Sequence, residues 1–413
     1  MTPEDPSGPV RRSRRDFLRL GAALGGLSLL GRLPAGLAQE AVDLPFANGH
    51  RPLVSYPQKR PLMLLTSRPV QLETPFQVFN DGILTPNDAF FVRWHLASVP
   101  TQVDARSFRV RVHGRVKRQL SLSLHDLQRD FEPVELIAVN QCSGNSRGFF
   151  TPRVPGGQWG NGAMGNARWK GVRLRDVLQR AGLEPNAVQV RLNGLDRGVM
   201  EVTPDFIKAL DLDVALGRDV LLAYEMNGEP LPLLNGFPLR LVVPGWYATY
   251  WVKMLDDIEV INHEDQNFWM KTAYRIPATS SGGVEPGQKD FPTVPINRMT
   301  VRSFITSLAD GAVVRADHPV VVRGIAFDGG FGIRRVRFSS DGGRRWEDAT
   351  LGRDYGNYSF RPWEARFTPQ AGRDYTLQCQ AENQRGETQP ASGPWNPGGY
   401  LRNAIETVRV RAV

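Results

Sequence analysis

The stretch Asn140-Gln-Cys-Ser-Gly-Asn-Ser-Arg147 places a thiol two residues before a glycine and five before an arginine. Cys142 is one of only two cysteines in 413 residues, the other being Cys379. A thiolate is a soft ligand for soft or high-valent metal ions, and a nearby guanidinium lowers a thiol pKa or binds an anion. Gly144 lets the backbone approach a ligand closely. Two plainer readings stand beside the metal one: a disulfide with Cys379, which an even count in an oxidising compartment permits, and a buried inert thiol. Arg93 and His95 lie two residues apart in the run 90–95, so a strand there turns both toward one side.

These residues need elements to hold them. The apolar run 136–139 reads as a short buried strand that delivers the cysteine loop. Residues 122–131 predict a short helix capped by Ser121 or Ser123, with Leu124 and Leu127 facing inward. Residues 174–181 predict a helix that stops at Gly182. Residues 205–210 read as a helix capped by Thr203 ahead of Pro204. Strands are expected at 108–114, 188–192, 220–224 and 239–243, whereas the proline-rich segment 41–75 reads as irregular.

The texture changes near residue 280, where TSSGGVEPGQKDFPTVPINR makes a connection rich in Ser, Gly and Pro. Beyond it come short alternating segments at 301–307, 320–327, 333–339, 345–349, 375–381 and 404–410. Ser340-Asp-Gly-Gly343 is a hairpin signal between two of them. This spacing predicts an antiparallel β-sandwich of immunoglobulin type, without the Cys–Trp–Cys pattern of antibody domains. The expected fold class is therefore α+β: a mixed α/β domain over residues 39–290, then an immunoglobulin-like sandwich over 291–413.

Composition narrows the function classes. Hydrophobic residues are 41% and charged residues 23%, ordinary for a globular protein. The formal charge is +9, and residues 1–38 hold six arginines against three acids, which leaves about +6 beyond them. Such a field suits an anionic substrate or an acidic partner, or serves solubility alone. Basic and aromatic residues are not interleaved as a nucleic-acid groove requires, so that class is set aside.

Ser13-Arg-Arg-Asp-Phe-Leu18, a short apolar stretch and small residues up to Ala38 match a twin-arginine export signal. An ordinary secretory signal or an uncleaved anchor is the alternative. The apolar stretch is shorter than the roughly 20 residues a membrane span needs. The expectation is a signal over 1–38, export to the periplasm, and a mature chain without a membrane span.

The loop VNQCSGNSRGFF resembles the cysteine loop of the sulfite oxidase family, whose thiolate ligates molybdenum held by molybdopterin. FFVRWH, GLD, the run from Tyr224 to Lys253, FWMKTAYRIP, PINRMTVRSFITSLADG and WNPGGYLRN resemble that family's segments, in its order. The similarity spans nearly everything from about residue 75 onward, and is strongest to bacterial periplasmic sulfite dehydrogenases. The resemblance implies Cys142 as the protein's metal ligand beside the pterin sulfurs. It implies Arg93 and Arg147 as an anion pocket, Tyr274 as a hydrogen-bonding group near the reacting oxygen, and His95 as a group tuning Arg93. Arg240, Lys253 and the backbone of Trp251 and Val252 would hold the phosphate tail. Asp196 and Asn235 would hold the pterin, and Phe91, Val92, Arg93, Trp94 and His95 would join them in binding the cofactor, with Trp94 shaping the pocket.

The implied reaction is sulfite oxidation to sulfate, with electrons passed to a c-type cytochrome or haem subunit. The implied assembly is a homodimer, or a heterodimer with the cytochrome. The sequence has no CxxCH and no haem domain fits it, so no haem is expected in this chain. The chain also departs from the family: Ser146 stands where vertebrate and plant loops tend to have arginine, and Asn235 where vertebrates commonly have histidine. Rival expectations are a sulfane dehydrogenase acting on protein-bound sulfur and, less fittingly, a methionine sulfoxide reductase. From another class comes a secreted binding protein with a Cys142–Cys379 disulfide.

Overall fold

The computed structural model describes residues 41–43 and 50–413. The expected export signal over 1–38 lies outside the described residues. Among those described, no helix is long and apolar enough to cross a membrane.

The fold is mostly sheet with a few short helices, as the α+β expectation required. A five-stranded antiparallel sheet carries the cysteine loop, ordered Glu229–Pro230, Leu221–Met226, Met164–Arg173, Pro133–Gln141, with Arg240–Val242 also paired to Leu221–Met226. Pro133–Gln141 pairs along its whole length with Met164–Arg173, and its last four residues are fully buried. Of the apolar run, Leu136 and Ile137 are half-buried and Ala138 and Val139 buried, and the strand leaves Cys142 as the first residue past its end. A second sheet, ordered Lys208–Asp211, Gln189–Gly194, Leu255–Ile261, Val110–Gly114, Leu120–Leu122, packs beside it. Helix Leu174–Ala181 buries Leu174, Val177, Leu178 and Ala181 in the shared core and ends at Gly182 as expected. Helix Leu124–Asp130 starts at Ser123, whose hydroxyl accepts from Asp126 N at 3.1 Å while the Asp126 carboxylate accepts from Ser123 N at 3.0 Å.

Two expectations need correction. Segment 41–75 is not irregular: Ala41–Asp43, His50–Val54, Leu62–Ser67 and Val70–Glu73 form a sheet that ends on Val92–Arg93. Prolines 57, 61 and 69 fall between those strands, so they punctuate the sheet rather than prevent it. Residues 205–210 are not a helix. Lys208–Asp211 is a strand on Gln189–Gly194, with Ala209 opposite Arg191, and the Asp205 carboxylate accepts from Asn193 at 2.9 Å. Six residues cannot nucleate a helix against an available ladder edge.

Beyond residue 300, two sheets stack, antiparallel except where Ala312–Val314 runs parallel to Thr407–Ala412. One orders Arg302–Ile305, Val320–Phe327, Arg361–Phe367, Thr350–Leu351; the other orders Ala312–Val314, Thr407–Ala412, Asp374–Asn383, Ile333–Ser339, Glu347–Asp348. This is the immunoglobulin arrangement the spacing predicted. Strand Arg361–Phe367 escaped the sequence reading, although its Trp363 lies in the sandwich core beside Val322, Phe338, Leu377 and Cys379. Cys142 belongs to the other large core and both cysteines are free, so the Cys142–Cys379 disulfide is absent and the rival built on it falls.

Candidate active site

The cysteine loop is a set of short turns fixed from three sides. Cys142 N donates to Ala163 O at 2.9 Å, Asn145 N returns to Cys142 O at 2.9 Å, and Arg147 N reaches Gly144 O at 3.0 Å. Ser146 takes a left-handed conformation, φ 69°, and its N–H donates to Gly160 O at 2.7 Å. Residues 160–163 are anchored in turn by the buried Glu73 carboxylate, which accepts from Gly160 N at 3.0 Å and Gly162 N at 2.8 Å. A Cβ on Gly162 would lie 2.1 Å from Thr74 O, so only glycine fits there. From the sandwich, fully buried Arg302 donates to Ser146 Oγ at 3.0 Å and pairs with Glu406 at 2.9 Å.

One buried pocket gathers Cys142 with Phe91, Arg93, His95, Asn235, Arg240, Lys253 and Tyr274. These are residues the sequence reading named, drawn from four segments. Asn140, Ser143, Leu234, Ala248 and Thr249 line it as well and were missed. Arg93 and His95 face the same pocket, as strand alternation required, while Val92 and Trp94 point away into a small core with Leu62, Leu72 and Met254. Trp94 still touches the site indirectly, because the Lys253 ammonium sits 4.5 Å above its ring. The N–H of Trp251 is bonded to Ala248 O at 3.0 Å and that of Val252 to Tyr250 O at 3.0 Å. Their part is to place Arg240 and Lys253.

Asp196 is buried outside the lining; burial raises its pKa to about 6, and the Lys253 charge opposes that rise. Arg147 also stands outside the lining. Its Nε donates to Gly398 O at 3.1 Å and its Nη1 to Gly157 O at 3.2 Å, with the guanidinium 5.1 Å from the Tyr400 ring centroid.

Charge in the pocket is one-sided. Burial pulls Arg240 down to about 9, with no anion opposing it. Burial, then Arg240, lowers Lys253 to about 7, and Asp196 opposes. Lys59, missed in the sequence, is 7% exposed and held at about 7, chiefly by burial. Its ammonium donates to Asn87 O at 2.6 Å, Phe90 O at 3.0 Å and Asn235 Oδ1 at 2.5 Å, which fixes the amide of Asn235. Lys208, buried in the strand misread as a helix, donates to Trp269 O at 2.7 Å and lies 5.5 Å from the Tyr274 ring centroid. Asp88, Asp265 and Asp196 only partly oppose the burial of Lys59, Lys208 and Lys253, and nothing opposes that of Arg240, a cost an anionic ligand would offset.

His95 is stacked on Phe206 at 3.6 Å and its Nε2 is hydrogen-bonded to the Tyr274 hydroxyl. Burial, then Arg93, Lys253 and Lys208, holds the imidazole well below its ordinary pKa, so it is neutral at pH 7. Burial raises the Tyr274 phenol. Tyr274 carries φ 57°, a conformation that costs a non-glycine residue about 1 kcal/mol.

The lining fits a large, acceptor-rich anion. Arg93 Nη1, Asn140 Nδ2, Ser143 Oγ, Thr249 Oγ1 and Arg240 Nε are buried there without a protein partner, and every one can donate a hydrogen bond. Native proteins leave few such groups unsatisfied, so five converging on one cavity mark a ligand site. The pterin edges and phosphate of molybdopterin supply the matching acceptors.

Comparison with known proteins agrees with this geometry. Residues 95–269 match the oxidoreductase molybdopterin binding domain, and residues 293–412 match the Mo-co oxidoreductase dimerisation domain. The chain is 34% identical over 388 residues to mitochondrial sulfite oxidase of Mus musculus, covering 89% of this chain and 69% of that one. It is 35% identical over 368 residues to sulfite oxidase of Gallus gallus, covering 86% and 79%. The solved sulfane dehydrogenase SoxCD of Paracoccus pantotrophus shares the fold, with a TM-score of 0.73 and 23% identity over 94% of both chains. With that identity over so much of both chains, and a cysteine loop opening on a cationic pocket, the chain belongs to the sulfite oxidase family of molybdopterin oxidoreductases.

Proposed function

We propose that this protein oxidises sulfite to sulfate at a molybdenum–molybdopterin centre held by Cys142, and passes the electrons to a c-type cytochrome or haem subunit. The observation that carries this reading is the convergence of unpartnered buried donors and buried cations on the Cys142 pocket. Arg240 Nε, Thr249 Oγ1 and the Lys253 ammonium are donors for the cofactor's phosphate and pterin edges. Once bound, the centre supplies oxygen-atom transfer and takes up the two electrons.

The chain's residues do the rest. Arg93 presents a free Nη1 to the oxygens of sulfite and of the sulfate product. Sulfite and water give sulfate, two protons and two electrons, so protons must leave the site. The Tyr274 hydroxyl, hydrogen-bonded to a neutral His95 Nε2, is the first polar group they meet on leaving the site. The rings of Phe206 and Trp269 pack against this pair and keep bulk water from it.

Residues 39–290 are read as the catalytic domain and 291–413 as a sandwich that makes a dimer contact, a homodimer or a heterodimer with the cytochrome. The twin-arginine signal points to the periplasm, where a soluble cytochrome is at hand. The unpartnered Arg93 Nη1 in the pocket lining suits a small free anion. Cytochrome c reduction by the molybdenum-loaded protein, with sulfite or with a carrier protein bearing a sulfane, tests the choice. Reduction by sulfite supports the reading; reduction by the carrier alone replaces it with a sulfane dehydrogenase.

A further inference from the structure

The sandwich reaches into the active site through the loop 396–401. Asn396 clasps the loop from both sides: its Nδ2 donates to Tyr400 O at 2.9 Å, and its Oδ1 accepts from Tyr400 N at 3.0 Å. Leu401 N donates to Ser143 O at 2.9 Å, next to the metal-binding cysteine. Gly399 takes φ 58°, and a Cβ there would lie 2.7 Å from Arg147 Cγ and 2.4 Å from Val154 Cγ2. The loop therefore has one conformation, and it puts the Tyr400 ring between two site residues. The ring is stacked on Tyr274 at 5.5 Å with an interplanar angle of 27°, and the Arg147 guanidinium lies 5.1 Å from its centroid.

We infer that Tyr400 is a specificity-determining positioning residue, which holds Arg147 and Tyr274 in the arrangement that binds a small oxyanion. Arg147 spends Nε and Nη1 on the carbonyls of Gly398 and Gly157, so its remaining freedom is the tilt of the guanidinium plane. The flat face of Tyr400 fixes that tilt, as cation–π stacking does. The same face backs the Tyr274 phenol. Burial chiefly, then the charges of Arg147 and Arg93, acts on the Tyr400 phenol, which places it in the field of the anion site. The inference rests on the sulfite reading for the identity of the anion, and on the geometry alone for the role of the ring.

The test compares wild-type holoenzyme with Tyr400→Phe and Tyr400→Leu, reading molybdenum content, kcat and KM for sulfite, and sulfate affinity by calorimetry. Tyr400→Phe keeps the stack and stays within about twofold of wild type in both KM and sulfate affinity. Tyr400→Leu weakens both by about five- to tenfold, with a smaller change in kcat and unchanged molybdenum content. Tyr400→Met, which fills much of the same volume without a flat ring, shifts KM in the same direction and covers the case in which the leucine variant fails to fold.

Wild-type KM and sulfate affinity in Tyr400→Leu overturn the inference, as does a phenylalanine variant as impaired as the leucine one. Sulfate binding needs no turnover. A wild-type enzyme inert toward sulfite therefore defeats the proposed function, while the Tyr400 comparison is still decided by calorimetry.

Discussion

The hydroxyl of Tyr274 is hydrogen-bonded to Nε2 of His95, although the two residues are 179 positions apart in the chain. One comes from the end of the extended run after Arg93, the other from the segment that leads toward the sandwich; Tyr274 is buried and His95 half-buried. The pair is neutral at pH 7, because burial raises the phenol and lowers the imidazole.

Loss of that hydroxyl should slow the reaction without emptying the site. Tyr274→Phe is expected to lower kcat by about a hundredfold, within the range for a positioned proton-transfer group, with molybdenum content unchanged. Rapid-mixing measurement of enzyme reduction by sulfite checks this. An unchanged kcat would remove Tyr274 from the proton path.

Arg93 should act on binding. Its free Nη1 lies in the pocket lining, as does Arg240 Nε, whereas Arg147 works from one layer behind. Arg93→Gln is expected to raise KM for sulfite about 10- to 100-fold through loss of charge-assisted hydrogen bonds. Steady-state kinetics at fixed ionic strength decides it, and a variant that loses only kcat contradicts the anion role.

Arg240 and Lys253 should hold the cofactor. Arg240→Met or Lys253→Met is expected to lower molybdenum per purified chain by on the order of tenfold, read by elemental analysis. Lys253 sits at about 7 in the cofactor-free protein, so it loses its proton, and with it the charge that grips a phosphate, as pH rises through that value. Dialysis at about pH 9 should therefore release more cofactor than dialysis at about pH 6.5. Equal retention at both would deny Lys253 a charged role.

Glu73 gives a pH signature in stability. Burial raises its carboxyl from 4.5 to about 7 against the pull of the Gly160 and Gly162 amides. A raised folded-state pKa contributes stability that is complete below 4.5 and is lost as pH rises through about 7. The shift corresponds to about 3 kcal/mol. Glu73→Gln lacks this dependence, so the wild-type advantage in Tm over the variant should shrink between about pH 5 and pH 8. A gap that does not change with pH would show that Glu73 does not titrate in that window.

Much of this was legible in the sequence where the signal is local. Alternation along 90–95 put Arg93 and His95 on one face, the run 136–139 placed Cys142 at the end of a strand, and the alternating segments beyond 300 read as a sandwich. What stayed hidden is non-local. Lys59, Thr249 and Tyr400 have no neighbouring pattern that announces them, and they reach the site only because distant elements pack there. Lys208 was hidden by a misleading cap signal at Thr203-Pro204, which a ladder edge overrode. In segment 41–75 the prolines obscured strands that use them as boundaries.

The central claim is that the Cys142 sulfur binds the metal at which sulfite is oxidised. X-ray absorption at the molybdenum edge tests it most directly, on wild-type protein and on Cys142→Ser. The account predicts one sulfur neighbour fewer in the variant, together with loss of sulfite-dependent cytochrome c reduction. An identical sulfur shell in the two proteins, or a serine variant that still turns over, would contradict it.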